Sequence, residues 1–408
     1  MAEGEAMVVF PDDLVEHGDT RIVFLVLDGL GGLPHPETGL TELEAASTPN
    51  LDRLARKAAL GLIQPVAPGV SPGSGPGHLA LFGYEPTRWL IGRGVLSALG
   101  VGFDLREGDV AVRLNFATVD ASGRVVDRRA GRPSDEEGKR LVEKLRAGVQ
   151  PPVGVDLFFE PEKEHRAVLV LRGEGLVAAL SDTDPQATGV PPLHVRPLAD
   201  GAEASARLVQ AVLDEAARVL ADEPRANAVL ARGFAAYERY PSMADRYKLR
   251  SRAIARYPMY RGVARLLGME VEPAPASDAE SVAVLADRFQ EYDFHFVHFK
   301  AIDSRGEDGD FDAKVAAIEA VDRLIPAVEA LEPDVLVVTG DHSTPWSLRA
   351  HSWHPVPLLL NSPWCRPAPD VSGFGERECR RGELGVFPAV DLMSLALAHA
   401  GRLAKYGA

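Results

Sequence analysis

Four groups of polar side chains in this sequence are of the types that metal-assisted chemistry requires. Carboxylates and imidazoles at short spacing bind divalent cations. A serine ahead of a helix places its hydroxyl beside free backbone N–H donors, which favour a nucleophilic oxygen and the phosphoryl group that it would receive. The groups are Asp28 before a run of glycines, Ser74 within Gly73–His78, Asp303 within an acidic stretch that ends at Asp308, and Asp341-His342 followed by His351.

Taken singly, most of these groups have an ordinary explanation. An aspartate before glycines is common in turns, Gly73–His78 has the composition of a flexible loop, and Asp303–Asp308 is typical of a solvated acidic turn. For Asp341-His342 with His351, metal binding and coincidence are about equally plausible. The combination is more informative, because carboxylates, imidazoles and a hydroxyl together make a two-metal site, in which cations about 4 Å apart activate an attacking oxygen and neutralise charge on a transferred group.

The elements before these groups predict that they meet in space. Three apolar stretches have the composition of strands buried on both faces, and each is followed by one of the groups. Ligands of open α/β sheets bind at the carboxyl ends of the strands, so we expect one shared sheet edge. Ser74 lies just ahead of a helix predicted from about His78. The strands are predicted at 21–27, 294–299 and 334–339, followed by Asp28, Asp303 and Asp341.

The length of the chain and the distribution of its predicted strands and helices indicate two domains. A chain of 408 residues is too long for one ordinary core. Strands and helices with buried strands occupy both ends of the chain, whereas short strands and polar helices in the middle are typical of an α+β domain. We therefore expect an α/β domain with a mostly parallel sheet at 1–108 and 245–408, interrupted by an inserted α+β domain at 109–244.

Composition excludes several classes of function. The formal net charge of −15 argues against partners such as nucleic acid or an anionic membrane, although an anionic small molecule can bind where basic residues gather locally. Cys365 and Cys379 form no C-x-x-C pair, so we expect free thiols. The N-terminal residues lack the apolar segment of a secretory signal, and runs such as Ile22–Leu27 are too short to span a bilayer. These features predict a cytoplasmic protein.

Longer motifs resemble the archaeal-type 2,3-bisphosphoglycerate-independent phosphoglycerate mutases of the alkaline phosphatase superfamily. The resemblance extends over most of the chain and implies an alkaline-phosphatase-like sheet sandwiched by helices, with an inserted domain. The motifs are Leu27-Asp28-Gly29, Pro72-Gly73-Ser74, His78-Leu79-Ala80-Leu81-Phe82-Gly83-Tyr84, Asn115-Phe116-Ala117-Thr118, Arg128-Arg129-Ala130-Gly131-Arg132, Ser181-Asp182-Thr183-Asp184-Pro185, Gly262-Val263-Ala264-Arg265, Asp341-His342-Ser343-Thr344-Pro345 and Ala350-His351-Ser352.

The resemblance implies a phosphorylated serine and two divalent metal ions, for which Mn²⁺, Mg²⁺ and Zn²⁺ are all compatible. Ser74 would carry the phosphoryl group. One ion would be held by Asp28, Ser74, Asp341 and His342, and Asp303 and His351 would help to hold the other, with Glu307 as a further candidate ligand.

Glu307 departs from the family pattern, which usually has a histidine at that position. A carboxylate can replace an imidazole on these metals, so the site can survive with a harder set of ligands. Alternatively, the second ion binds weakly and the activity is altered, or His354 compensates.

The resemblance also implies substrate-binding residues for a small phosphorylated three-carbon acid. Arginine forks suit carboxylate and phosphate groups, so the arginine-rich motif is expected to bind them. Arg261 stands where the family tends to have a lysine. The expected substrate-binding residues are Arg128, Arg129, Arg132, Arg261 and Asp184.

The expected reaction is the interconversion of 3-phosphoglycerate and 2-phosphoglycerate through phosphoserine, with closure of the two domains excluding water. Two alternatives stay open. One is another metal-dependent enzyme of the superfamily, acting on a phosphomonoester or a phosphonate. The other is a non-catalytic homologue that binds phosphorylated metabolites.

Overall fold

The computed structural model describes residues 12–89 and 91–407. The strands are β1 Ile22–Leu27, β2 Ala59–Gln64, β3 Val110–Val119, β4 Val125–Asp127, β5 Asp156–Pro161, β6 Arg166–Arg172, β7 Ala228–Ala236, β8 Ser251–Ile254, β9 Glu270–Val271, β10 Phe294–Phe299, β11 Val335–Thr339, β12 Val356–Asn361 and β13 Gly385–Pro388. The helices are α1 Glu42–Ala45, α2 Pro49–Ala55, α3 Ser74–Leu81, α4 Arg93–Gly100, α5 Asp135–Gly148, α6 Glu203–Val219, α7 Met243–Tyr247, α8 Pro258–Leu266, α9 Asp278–Ala286, α10 Ala301–Asp308, α11 Phe311–Asp322, α12 Ile325–Glu329, α13 Glu376–Arg381 and α14 Leu392–His399.

The first of two compact units contains residues 1–90 and 241–408. Its described residues form an eight-stranded sheet in the order β13-β2-β12-β11-β1-β10-β8-β9. The run β11-β1-β10-β8-β9 is parallel, whereas β12 is antiparallel to both of its neighbours. The predicted mostly parallel α/β sheet is therefore confirmed.

The central strands of this sheet are covered on both faces. Every residue of β1, β10 and β11 is buried. Successive side chains of a strand point to opposite faces, so a strand that is buried throughout must have packed side chains on each side. This explains why these strands are mostly apolar without alternation, with His295 and His298 of β10 and Thr339 of β11 as buried exceptions, and it confirms the strands predicted at these positions.

The second unit contains residues 91–240. Its sheet follows the order β4-β3-β6-β5, with β7 paired to β3, and every pairing is antiparallel. One face packs on the apolar sides of α5 and α6, where residues such as Leu141, Val142 and Val209 are buried against Leu114 and Leu169. The middle of the chain is thus the α+β segment that its pattern of short strands and polar helices predicts.

The structure places the boundaries of this segment earlier than 108 and 244. Helix α4 belongs to the second unit because it packs against β3 and β7. The packing is close: a Cβ on Gly94 would lie 2.1 Å from the Ala111 carbonyl oxygen, and one on Gly92 would lie 2.0 Å from Ala235 Cβ. Residues 91–108 therefore contribute to the second unit rather than to the first.

Two local predictions were wrong. Asp303 lies on α10 rather than on a loop, since that helix begins directly after β10. The amphipathic pattern of residues 312–331 predicts a single helix, but the segment is divided into α11 and α12, because Pro326 has no N–H to donate and its ring clashes with the preceding turn.

Within residues 12–89 and 91–407, no helix combines the length and the apolar character that crossing a bilayer would need.

Candidate active site

The site is built at the carboxyl ends of three adjacent strands. The order β11-β1-β10 is parallel throughout, so the residues that follow each strand meet at one edge. Asp28 follows β1, Asp341-His342 follows β11, and α10 carries Asp303 one turn after β10. The predicted convergence of these three groups is confirmed by the strand order.

The first convergent group is Asp28, Asp341 and His342, which are fully buried. His342 Nε2 lies 3.4 Å from Asp28 Oδ1 and 3.2 Å from Asp341 Oδ2. Those two carboxylate oxygens have no hydrogen-bond partner in the structure. Buried carboxylate oxygens left without donors are costly unless a cation binds them, so this group fits a divalent metal ion.

Ser74 lies beside this group. It is the first residue of α3, so the helix begins four residues earlier than predicted. Its Oγ lies 3.2 Å from His342 Nε2. Gly77 allows the approach, since a Cβ there would lie 2.4 Å from the Asp341 carbonyl oxygen. Ser74 and the first convergent group are therefore brought together by direct backbone packing.

The second convergent group is Asp303, His342 and His351. His351 Nε2 lies 3.6 Å from Asp303 Oδ1, and its ring stacks on that of His342 with 3.6 Å between centroids. Glu307 Oε1 lies 3.8 Å from His351 Nε2, on a side chain that is 53% exposed. Glu307 is therefore at the open rim of this group, one turn of α10 beyond Asp303.

His354 lies outside both convergent groups found in the described residues. Its Nδ1 is 3.0 Å from the Ser352 hydroxyl, and its ring stacks on Trp353. These contacts hold the side chain within its own loop, so the structure lends no support to the idea that His354 replaces a missing ligand.

Two residues that we did not predict complete the charge balance of the site. Lys300 Nζ lies 3.1 Å from Asp28 Oδ2 and forms a second ion pair with Asp303. His298 Nε2 lies 3.1 Å from the same oxygen of Asp28, and the Tyr260 ring stacks on the His298 ring at 3.7 Å. An ammonium bridging two buried aspartates shows that cations are favoured at this edge. In the sequence, only their positions mark His298 and Lys300: His298 is at the end of a buried strand, and Lys300 comes directly after that strand.

The protonation states suit metal binding. Burial raises the pKa of Asp28, but the hydrogen bond with His298 and the charge of Lys300 outweigh it and hold that pKa well below its usual value. Burial and the negative charge of Asp28 raise the pKa of Asp341. The imidazoles of His342 and His78 outweigh both effects, so the pKa of Asp341 lies below its usual value. Burial lowers the pKa of His342. Ionised carboxylates and a neutral imidazole are the forms that coordinate metals.

In the second unit, Arg128 and Asp184 form a fork-to-fork pair. Arg128 Nε and Nη2 donate to the two oxygens of Asp184 at 2.8 and 2.7 Å, and Arg232 Nη1 lies 3.4 Å from the same carboxylate. Asp184 is buried. The structure thus brings two predicted substrate residues together, and they are already engaged with each other.

The turn that follows Arg128 is braced and left-handed. Ala130, Gly131 and Arg132 all have positive φ, between 48° and 69°. The Asp127 carboxylate accepts hydrogen bonds from the N–H groups of Arg129 and Gly131 at 2.8 and 2.7 Å, which holds this costly conformation in place. Strained backbone conformations of this kind cluster at active sites and at sites that clamp ligands.

A cluster of arginines that we largely missed lies on one face of the second sheet. Arg113 is directly opposite Arg232 across β3 and β7, and Asn115 is opposite Arg166 across β3 and β6. Arg93 of α4 joins them, since a Cβ on Gly233 would lie 2.6 Å from Arg93 Cβ. The register that aligns these strands cannot be deduced from local sequence. We call Arg93, Arg113, Arg166 and Arg232 the arginine face.

The arginine face and its surroundings have unfilled hydrogen-bonding capacity. Arg113 Nε, Arg232 Nε, Asn115 Oδ1 and His165 Nδ1 are buried without a hydrogen-bond partner. Burial and Arg93 lower the pKa of Arg113 to about 10. Burial and nearby arginines, including Arg129 and Arg132, lower the pKa of His165 to about 4. Crowded cations with free donors are the features of an anion-binding site.

Arg261 lies on α8 in the first unit. Its Nη1 donates to the Glu272 carbonyl oxygen at 2.6 Å and to that of Ala255 at 3.3 Å. The side chain therefore already has protein acceptors, and its role in substrate binding stays a prediction.

Comparisons with known proteins show which family this chain resembles over nearly its whole length. A family model described as 2,3-bisphosphoglycerate-independent phosphoglycerate mutase matches residues 55–226. A probable mutase of that description from Thermus thermophilus is 54% identical over 407 residues, covering 98% of this chain and 100% of the relative. One from Thermotoga maritima is 49% identical over 400 residues, covering 98% of each.

Two solved structures are similar over nearly the whole chain. A protein from Pyrococcus horikoshii has a TM-score of 0.82 and 30% identity, covering 96% of this chain and 100% of that one. A cofactor-independent phosphoglycerate mutase from Thermoplasma acidophilum has a TM-score of 0.71 and 29% identity, covering 94% and 100%.

Proposed function

Because the chain belongs to the 2,3-bisphosphoglycerate-independent phosphoglycerate mutases, we propose that it interconverts 3-phosphoglycerate and 2-phosphoglycerate with Ser74 as phosphoryl carrier. The observation that carries this proposal is the position of Ser74. Its hydroxyl is at the N-terminus of α3 and 3.2 Å from His342 Nε2, within a group of ligand atoms that fits a divalent cation.

We propose that two divalent ions bind at the convergent groups. The donor sets support this, since Asp28, Asp341 and His342 form one group and Asp303 and His351 form the other around the shared His342, which we assign to the first ion. Such ions lower the pKa of a hydroxyl and neutralise charge on a phosphoryl group. Asp28, Ser74, Asp341 and His342 would hold one, and Asp303, His351 and Glu307 the other.

The reaction then proceeds in two half-reactions, with Ser74 carrying the phosphoryl group between them. Ser74 gives up its hydroxyl proton as Oγ attacks phosphorus, the bond from phosphorus to the substrate oxygen breaks, and that oxygen takes up a proton and leaves as a hydroxyl of glycerate. Free N–H groups at the start of α3 stabilise the phosphoserine. The other hydroxyl of glycerate then attacks phosphorus and restores Ser74. Because glycerate must stay bound between the two steps, the protein needs a second anchor for its charge.

We propose that the arginine face, together with Arg129 and Arg132, supplies that anchor. The Nε atoms of Arg113 and Arg232, which have no hydrogen-bond partner, can donate to a carboxylate or phosphate. In this proposal the Arg128–Asp184 pair orients the neighbouring Arg232, which approaches the same carboxylate. Arg261 remains a candidate from the resemblance alone.

An assay for isomerisation tests the proposal. Purified protein with Mn²⁺ and no 2,3-bisphosphoglycerate should convert 3-phosphoglycerate to 2-phosphoglycerate, and both Ser74→Ala and chelation should abolish conversion. Release of inorganic phosphate without isomerisation, dependent on Ser74, would identify a hydrolase instead. Absence of both activities with Mn²⁺, Mg²⁺ and Zn²⁺ would favour a binding protein.

A further inference from the structure

Lys314, on α11, is a fully buried lysine with a complete set of acceptors. Its Nζ donates to the Thr344 carbonyl oxygen at 2.8 Å, to that of Gly31 at 3.1 Å and to Glu42 Oε1 at 3.3 Å. An ammonium has three N–H donors, so all of them are used. None of these acceptors is one of the proposed metal ligands.

Glu42 extends the same network through its two carboxylate oxygens. Oε1 also accepts a hydrogen bond from the Trp346 N–H at 2.9 Å, and Oε2 accepts one from the Leu33 N–H at 3.1 Å. Gly31 and Leu33 belong to the loop after β1, whereas Thr344 and Trp346 belong to the loop after β11. The buried pair therefore ties together the two loops that follow Asp28 and His342.

Thr344 connects this network to the ligands. Its hydroxyl donates to Asp303 Oδ1 at 2.6 Å and lies 3.0 Å from His342 Nδ1. A hydroxyl has one proton, and here that proton is directed to Asp303, so the oxygen accepts from His342 Nδ1–H. This tautomer leaves the lone pair on Nε2, the nitrogen beside Ser74.

The packing leaves Thr344 little freedom. A Cβ on Gly306 of α10 would lie 2.2 Å from the Thr344 carbonyl oxygen, and one on Gly29 would lie 2.7 Å from the Thr344 hydroxyl. Lys314 holds the same carbonyl oxygen from another side. Moving the backbone of Thr344 would therefore move the hydroxyl that orients both Asp303 and His342.

We propose that Lys314, paired with Glu42, is a positioning residue that fixes Thr344 and thereby orients Asp303 and His342 for metal binding. This inference rests on the metal site of the proposed function. A buried ion pair is often no better for stability than a well-packed apolar pair, because both charges lose hydration. Stability alone therefore does not explain the buried Lys314–Glu42 pair. Holding the proposed metal ligands in place gives this pair a role.

Mn²⁺ titration calorimetry on the full chain, together with thermal unfolding, tests the proposal. Lys314→Met should weaken Mn²⁺ binding by about 10–100-fold, the range seen when groups that orient metal ligands are lost. Glu42→Gln keeps the side-chain volume and provides a second variant that should fold, with a smaller loss in the same direction.

Asp322→Asn is the matched control. Asp322 is also buried on α11, but it accepts hydrogen bonds from the N–H groups of Asn50 and Leu51 at the start of α2. It should lower the unfolding temperature and leave Mn²⁺ affinity unchanged. Wild-type Mn²⁺ affinity in folded Lys314→Met or Glu42→Gln protein would overturn the inference. A wild-type protein that binds none of Mn²⁺, Mg²⁺ and Zn²⁺ would refute the proposed metal site, and this inference with it.

Discussion

Ser74 Oγ lies 3.2 Å from His342 Nε2 although 268 residues separate the two in sequence. The distance follows from the topology: β11 delivers His342 next to Asp28, and Gly77 lets α3 pack directly on the backbone of Asp341. This contact places the proposed phosphoryl carrier beside a proposed metal ligand.

Chelation should lower the unfolding temperature of the wild-type protein, and added Mn²⁺ should restore it. A ligand that binds only the folded state stabilises it by about 4 kcal/mol at a thousand times its Kd. Asp28→Asn should abolish the increase seen with Mn²⁺ in differential scanning calorimetry. His354→Ala is the control, and it should retain the increase because His354 lies outside the convergent groups of the described residues.

Glu307→His should change which metal the second group prefers. Replacing a carboxylate by an imidazole favours Zn²⁺ over Mg²⁺ and Mn²⁺, and we expect the ratio of Zn²⁺ to Mn²⁺ affinity to rise about tenfold, equal to ~1.4 kcal/mol. Competition titrations measure this ratio. An unchanged ratio would show that Glu307, at the exposed rim beside His351, does not bind metal.

Arg113→Met should impair substrate binding. A charge-assisted hydrogen bond contributes about 1.5–3 kcal/mol, so kcat/KM should fall roughly 10–100-fold, mainly through KM. Arg140→Met, which removes two ion pairs of a half-exposed arginine in the same unit, is the control and should leave kcat/KM near the wild-type value. Equal effects of the two variants would remove Arg113 from the proposed anchor.

Glu376 should make stability depend on pH. Burial raises its pKa from 4.5 to about 7, despite hydrogen bonds from the Thr41 hydroxyl and the Gly32 N–H. The folded state thus retains a proton that the unfolded chain releases. The stabilisation from this proton is complete below about pH 4.5 and is lost as the pH rises through about 7.

Urea unfolding of Glu376→Gln beside the wild type tests this sign. The wild type should lose roughly 3 kcal/mol relative to the variant between pH 4.5 and pH 8. Replacement of the exposed Glu136 by Gln should leave the wild-type pH profile intact. A constant difference between wild type and Glu376→Gln across this range would show that Glu376 titrates as an ordinary glutamate.

The central sheet and its ligands could be predicted because their physical signals are local. Strands buried on both faces are mostly apolar, and in parallel strands the residues that follow them share one edge. Asp28 and Asp341-His342 are therefore recognisable from the strands that precede them. The resemblance of the motifs added Ser74, since its own loop has no distinctive composition.

The remaining features depend on contacts between distant residues. Lys314 and Glu42 are 272 positions apart, and nothing local to either residue indicates a buried pair. The arginine face exists only through the register of β3 with β6 and β7. The helical position of Asp303 reflects how closely α10 follows β10, which the acidic composition of that segment does not reveal.

Trapping of the phosphoryl group tests the central claim most directly. Protein mixed with 3-phosphoglycerate and Mn²⁺, quenched in acid within the first turnovers and digested, should yield a peptide phosphorylated at Ser74 by mass spectrometry. The modification should be absent from chelated protein. Isomerisation with no phosphate on Ser74, or with phosphate on a different residue, would contradict the proposed role of Ser74 as phosphoryl carrier.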